Sequence, residues 1–232
     1  MVNNDSTKKG AVKYLFMLFI QRVIGLLFFI TAAGTIFDTR GMVNFALYYG
    51  ISVAACIVMY NGHQETLSER GKKQSNTKNW DKVLLPIYVL LAYYVIYLVA
   101  GLGIRFAWPQ LSIDWFYGGI LVYLISGAFT IWPIMENKHF ESTSRIQSDR
   151  SQKVISTGPY RLVRHPGYLG ILLWAISVTM IFGTLAVALT AAAIVITITI
   201  RTYLEDTMLK KELAGYLDYA NIVKYRLIPF IW

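Results

Sequence analysis

From Gly167 to Ile200 the chain runs 34 residues without one charged side chain. As a single helix this stretch would be about 51 Å long, against a hydrocarbon core of about 30 Å. Two shorter helices fit better. Gly183, after Phe182, is the only glycine between Gly170 and Gly215, and it marks the break. The stretch is therefore expected to form a tight hairpin of two membrane spans. Four further apolar segments precede it, at 14–37, 42–60, 83–104 and 115–135. Composition agrees, because only 15% of the residues are charged, where a soluble domain carries about 25%. The fold class is all-α, a polytopic membrane helix bundle of about six transmembrane helices. Disorder, coiled coil, collagen and a small disulfide scaffold are excluded. The single cysteine, Cys56, can form neither an internal disulfide nor half of a CxxC site.

The formal net charge of +9 would point to nucleic acid in a soluble protein. Here membrane topology is the better account, and no nucleic-acid partner is expected. Nineteen of the 22 Lys and Arg residues lie before the first span, in the 61–82 loop, in the 136–166 loop or after Ile200. The alternate turns hold only Arg40 and Arg105, and Arg22 lies inside span one. Cytoplasmic loops accumulate Lys and Arg, so both termini and both long loops are expected in the cytoplasm. A single crossing by 167–200 would put the basic 136–166 loop and the basic tail on opposite sides. The hairpin puts them on the same side. The N-terminus has the order of a signal peptide, but Gln21 and Arg22 interrupt its apolar run, and cleavage is not expected. Residues 64–80, with Gly71, Ser75 and Asn76, read as a loop or surface helix.

Arg22 is the one ionisable residue within the spans, where a transport site would be expected to show several. It can snorkel to the surface or face a cavity open to the cytoplasm. No Gly/Pro-broken pair of spans marks a central transport site, so chemistry is expected at the cytoplasmic face. The densest polar segment there is 136–168. Gly158-Pro159 is a turn signal, and His165-Pro166 stops any preceding helix. The segment should fold back against the membrane and deliver His165 to the mouth of span five. After span six, Arg201 and Glu205 stand four apart on one helical face, which permits a plain surface pair. The hairpin also brings them to the same end as His165, which makes a site. There is no Walker A loop, no strand-associated GxGxxG and no HExxH. His63, His139 and His165 are too scattered for a metal site, and none is expected.

GPYRLVRHPGYLG at 158–170, RTYLED at 201–206 and GYLDYANIVKYRLIPFIW at 215–232 together resemble the isoprenylcysteine carboxyl methyltransferase family. More broadly they resemble the superfamily that also holds membrane phospholipid N-methyltransferases. The resemblance covers roughly residues 136–232, which it marks as a methyltransferase core following N-terminal spans in 1–135. LSERGK, NTKNWDKVLL and NKHFESTSRIQSDR look similar to a bacterial branch, implying a bacterial inner or plasma membrane. The donor so implied is S-adenosyl-L-methionine, bound by the loop before the hairpin and the segment after it. Carried over position by position, the donor contacts fall on Gln152, Lys153, Val154 and Ile155, then on Tyr160. They continue at His165, Pro166, Gly167 and Tyr168 and end at Glu205. The acceptor-binding arginine matches Arg201, and Arg201 with Glu205 makes up the catalytic pair. Two positions depart from the family pattern: Gln152 stands where a histidine is frequent, and Asp206 where many members have a second glutamate.

Methyl transfer from a sulfonium is an in-line displacement, so the enzyme chiefly holds donor and acceptor within about 3–3.5 Å and excludes water. Glu205 can accept hydrogen bonds from the donor's amino or ribose groups. Tyr160 and Tyr168 can pack on adenine, or anchor at the membrane interface. Arg201 can neutralise an anionic acceptor. The acceptor expected is lipophilic and enters from the bilayer: an isoprenylcysteine carboxylate, a phospholipid amine or a small thiol. The other readings are an NADPH-dependent sterol-type membrane reductase and a non-enzymatic membrane scaffold. Oligomeric state is not readable.

Overall fold

The computed structural model describes residues 4–72, 74 and 76–232. Lys73 and Ser75, both read above as part of the 61–82 loop, lie outside the described residues. Among the described residues eight α-helices follow one another: α1 Asn4–Ala33, α2 Thr39–Gly62, α3 Gln64–Arg70, α4 Asp81–Arg105, α5 Ile113–Glu136, α6 Pro166–Phe182, α7 Leu185–Glu212 and α8 Tyr216–Ile222. Among the described residues α1, α2, α4, α5 and α7 are long and apolar enough to cross a membrane. The 17-residue α6 is a shorter apolar helix of about 25 Å. This is the architecture of an integral membrane protein, and the expected helical bundle is what forms.

The C-terminal hairpin breaks where the glycine stands. Gly183 has φ 68°, a left-handed conformation that costs glycine nothing, and Thr184 caps α7 by accepting from the Val187 N–H. The two arms are unequal. Residues past Ile200 continue α7 without a break, so Arg201 to Glu212 project as helix beyond the start of α6. The first span, expected at 14–37, ends instead at Ala33. Gly34 takes φ 72° and closes on the Ile30 carbonyl, leaving apolar Ile36 and Phe37 exposed outside the helix. Hydropathy registers those side chains and not the backbone turn. Asp38 then caps α2 through the Gly41 N–H at 2.7 Å.

The core is a run of large side chains from α1, α2, α4, α5, α6 and α7, including Phe29, Phe45, Tyr97, Tyr123, Phe182 and Ile198. Phe16, Leu121, Leu189 and Ile196 face outward, as lipid-contacting positions do. The basic segments gather at one end of the bundle, as their charge pattern requires. There Arg150 meets Glu65, Lys78 meets Glu212, and the Arg164 N–H donates to the Tyr225 carbonyl. The opposite end holds the three short turns, where Arg40 donates to the carbonyls of Ile181 (2.7 Å) and Leu111 (2.9 Å). Within α4, residues Leu91–Val95 widen into a π-helical turn, and Tyr93 and Tyr94 of that turn face the cavity described next.

Candidate functional site

At the basic end, loop 137–165 closes over α6 and α7. Its shape comes from charge pairs. Arg145 is held by Glu141 (2.8 Å) and Asp149 (2.6 Å). Those carboxylates, Glu141 first, raise the pKa of Arg145, and the bond from Arg145 lowers that of Asp149. Gln147 donates to the His139 carbonyl at 2.6 Å and takes the side-chain oxygen of Gln152 on its own N–H at 2.8 Å. The loop then runs through the turn at Gly158–Arg161 into His165, whose N–H donates to the Arg226 carbonyl at 2.9 Å. Pro166 starts α6 at its first position, which needs no backbone donor.

The loop encloses a cavity of about 720 Å³. Gln152, Lys153, Val154 and Ile155 line it from the loop, and Tyr160 from the turn that follows. His165, Pro166, Gly167 and Tyr168 line it from the start of α6, and Arg201 and Glu205 from α7. The structure thus brings together every site residue expected from the sequence. The cavity continues between the apolar helices, past Leu18, Ser52, Cys56 and Val89. Met17, Ile20 and Ile24 of α1 line it and are also exposed on the outer face, so it opens sideways.

The centre of the polar half is a closed set of bonds. Arg201 does not pair with Glu205, four residues on. Its Nε and Nη2 donate to the two oxygens of Asp81 at 2.6 and 3.2 Å, and Nη2 donates to the Ser142 carbonyl at 2.6 Å. Asp81, at the first turn of α4, presents both oxygens to the planar fork, while Glu205 accepts from Ser144 and Tyr168 instead. Arg201 therefore does not snorkel; it is 4% exposed, and Asp81 is fully buried. Asp81 also accepts the Ser144 N–H at 2.7 Å. The Ser144 hydroxyl donates to Glu205 at 2.8 Å, and the Tyr168 hydroxyl donates to the same oxygen at 2.5 Å. The Tyr168 ring stacks on His165 (centroids 5.8 Å apart, 13° between planes) and packs under the Arg201 guanidinium.

Tyr160 and Tyr168 both line the cavity. Tyr160 is 7% exposed, takes Asn137 Nδ2 on its hydroxyl at 3.2 Å, and has its pKa raised chiefly by burial. Asp206 is a hub rather than a spare carboxylate. Fully buried, it accepts from Arg164 (2.7 Å), Arg226 (2.9 Å), Lys210 (3.0 Å) and the Tyr216 hydroxyl (3.1 Å). His165 Nε2 lies 3.5 Å from it. The hub ties α6, α7, α8 and the C-terminal segment together and fixes His165 at the rim. A shorter aspartate can serve here because its partners converge on it from four sides.

Sequence reasoning missed Asp81, a lone acid that opens an apolar helix. It also left Arg22 open. The structure turns Arg22 into the cavity, with Nε donating to Ser52 at 2.7 Å and Nη1 to the Leu18 carbonyl at 3.2 Å. Tyr14, Arg70, His139 and Thr143 also line the cavity, and none of them was expected as a site residue.

Residues 119–211 match the model of the isoprenylcysteine carboxyl methyltransferase (ICMT) family. Two similar proteins are each described as a probable protein-S-isoprenylcysteine O-methyltransferase, one from Oryza sativa subsp. indica and one from subsp. japonica. Each is 28% identical over 126 residues, which is 53% of this chain and 65% of the relative. The chain thus covers less than two thirds of the length of the curated relatives it matches. Both comparisons support the family resemblance carried by the RHPGY and RTYLED motifs.

Proposed function

We propose that this chain is an S-adenosylmethionine-dependent methyltransferase of the isoprenylcysteine carboxyl methyltransferase type, with its donor site at the cytoplasmic face of the bilayer. One observation carries the reading: all eleven carried-over positions line a single cavity that continues between apolar helices and opens on the outer face of α1. A volume of about 720 Å³ lies within the range of small-molecule sites, about 300–1,000 Å³. The polar half also fits a nucleoside carrying an amino acid. His139 and Thr143 present buried polar atoms there that have no partner among the described residues, and Glu205 adds a carboxylate acceptor held in place by two hydroxyls.

When bound, the donor supplies an electrophilic methyl group on a sulfonium. The chain's own residues orient and enclose it. Glu205 accepts from amino or hydroxyl groups of the donor, and its position is set by Tyr168 and Ser144. The irregular segment Gln152 to Ile155 offers backbone edges, and Tyr160 offers a ring face. Gly167 leaves room for Phe140 to close over the start of α6, since a Cβ there would meet the ring at 2.7 Å. Arg201, with two nitrogens already engaged, serves mainly as a positioning residue for Asp81, Ser144 and Glu205. Its Nη1 remains for an acceptor. The apolar half and its side opening suit a lipophilic acceptor arriving from the bilayer.

Equilibrium binding to purified protein in detergent tests this reading. S-adenosylhomocysteine is expected to bind and NADPH is not. Labelled donor incubated with a membrane lipid extract is expected to yield a methylated lipophilic product. Binding of NADPH alone would favour the reductase reading, and binding of neither ligand would favour a non-enzymatic scaffold.

A further inference from the structure

The family match spans 119–211, yet much of the apolar half of the cavity is built by α1, α2 and α3, outside that span. This half holds two arginines that the donor site does not use. Arg22 lies over the Tyr48 ring at 5.1 Å and, among the described residues, is bonded only to neutral oxygens of Ser52 and Leu18. Arg70 donates from Nε to the Tyr14 hydroxyl at 2.9 Å, and its Nη1 is buried without a partner among the described residues. Its guanidinium packs on the rings of Tyr14 and Phe140.

Three other arginines line the same cavity, and each has a carboxylate: Arg145 with Glu141, Arg164 with Asp206, Arg201 with Asp81. Among the described residues no such ion pair reaches Arg22 or Arg70. An enclosed cation without a counter-charge is costly, more so along a membrane span. A bound anion removes that cost. The two groups share one wall: Tyr14, Leu18 and Arg22 are successive i, i+4 positions on α1, and Arg22 turns back toward Leu18. Around them lie Leu15, Leu18 and Cys56, and the outward-opening Met17 and Ile20 continue the apolar path. We propose that Arg22 and Arg70 form an anion subsite for the acidic headgroup, carboxylate or phosphate, of an amphiphile whose tail lies in the apolar half. That this amphiphile is the methyl acceptor rests on the methyltransferase reading.

The test is binding of radiolabelled oleate, 1-oleoyl lysophosphatidate and uncharged mono-oleoylglycerol to the full chain in neutral detergent. S-adenosylhomocysteine affinity is measured in parallel as a check on folding and on the donor site. At least one acidic probe is expected to bind wild type tenfold or more tightly than the uncharged one. Oleate alone would identify a carboxylate site, and lysophosphatidate alone a phosphate site. Arg22→Gln and Arg70→Gln should each reduce the preference to threefold or less while S-adenosylhomocysteine affinity holds. Equal binding of all three probes by wild type overturns the proposal, whatever the variants do. So does a preference that survives in both variants. An acidic preference in a protein that does not bind S-adenosylhomocysteine would remove the methyltransferase reading and leave the subsite standing.

Discussion

Asp81 and Arg201, 120 positions apart in sequence, meet in a two-pronged ion pair closed to solvent on both sides. The pair joins the first turn of α4 to the extension of α7, and through the Ser144 N–H it reaches the loop that covers the cavity. Removing one partner leaves a buried charge. Asp81→Ala is therefore expected to destabilise the protein by about 3–5 kcal/mol, read as a fall in melting temperature in detergent. A paired replacement, Asp81→Leu with Arg201→Met, should recover much of the loss. A melting temperature unchanged in Asp81→Ala would show that the pair contributes nothing to the fold.

Arg201→Lys keeps the charge and loses the fork. A single ammonium nitrogen lacks the spaced pair of nitrogens that now reaches both Asp81 oxygens and the Ser142 carbonyl, so Ser144 and then Glu205 are expected to lose their fixed positions. Turnover is expected to fall tenfold or more, with a smaller loss of donor affinity. Wild-type values for both would mean that a point charge at this position suffices.

Glu205→Gln and His165→Ala each remove a group from the proposed donor half. Loss of one hydrogen bond to a charged group costs about 1.5–3 kcal/mol, or tenfold to a hundredfold in affinity. Isothermal titration with S-adenosylhomocysteine reads this directly. Unchanged affinity in both variants would place the donor elsewhere.

His139 gives the loop an acid sensitivity. Burial lowers its pKa from 6.5, and the nearby charge of Arg150 lowers it further. The unfolded chain therefore takes up a proton at a pH where the folded chain does not, and stability falls as pH drops from 6.5 toward the depressed folded value. Melting curves between about pH 7.5 and 5 should show a steeper loss in wild type than in His139→Gln. Parallel curves would refute the assignment.

Orientation can be read by labelling in a Cys56→Ser background. Leu185 is 74% exposed at the hairpin tip, and Ser148 is exposed on the covering loop. A cysteine at 185 is expected to react only from outside and one at 148 only from inside. Reaction of both from one side would rule out the hairpin topology.

The spans, the hairpin and the gathering of the basic segments were legible because hydropathy, one glycine and charge segregation act over short stretches of chain. Their ends were less so. Ala33 closes α1 through the φ of Gly34, and α7 runs on to Glu212 because RTYLEDTMLKKE is itself good helix, which a hydropathy boundary at Ile200 cuts off. In the site, the RHPGY and RTYLED positions could be read from their motifs. Asp81 could not, because an acid in a first helical turn already has a local explanation, and its partner lies on another span. Arg22 was visible as an anomaly, but only packing against Ser52 and Tyr48 decides which way it points. Loop 137–165 has no period to read, since Glu141, Arg145 and Asp149 shape it through pairing.

Arg40 gives the bundle a mechanical asymmetry. Its guanidinium clasps the carbonyls of Ile181 and Leu111, and the Leu111 N–H returns a bond to the Gly183 carbonyl. The three short turns are thereby stitched into one knot at the far end, while the hollow interior lies toward the other. A body pinned at one end and hollow at the other is unevenly stiff, and its freedom to flex lies on the side of the cavity.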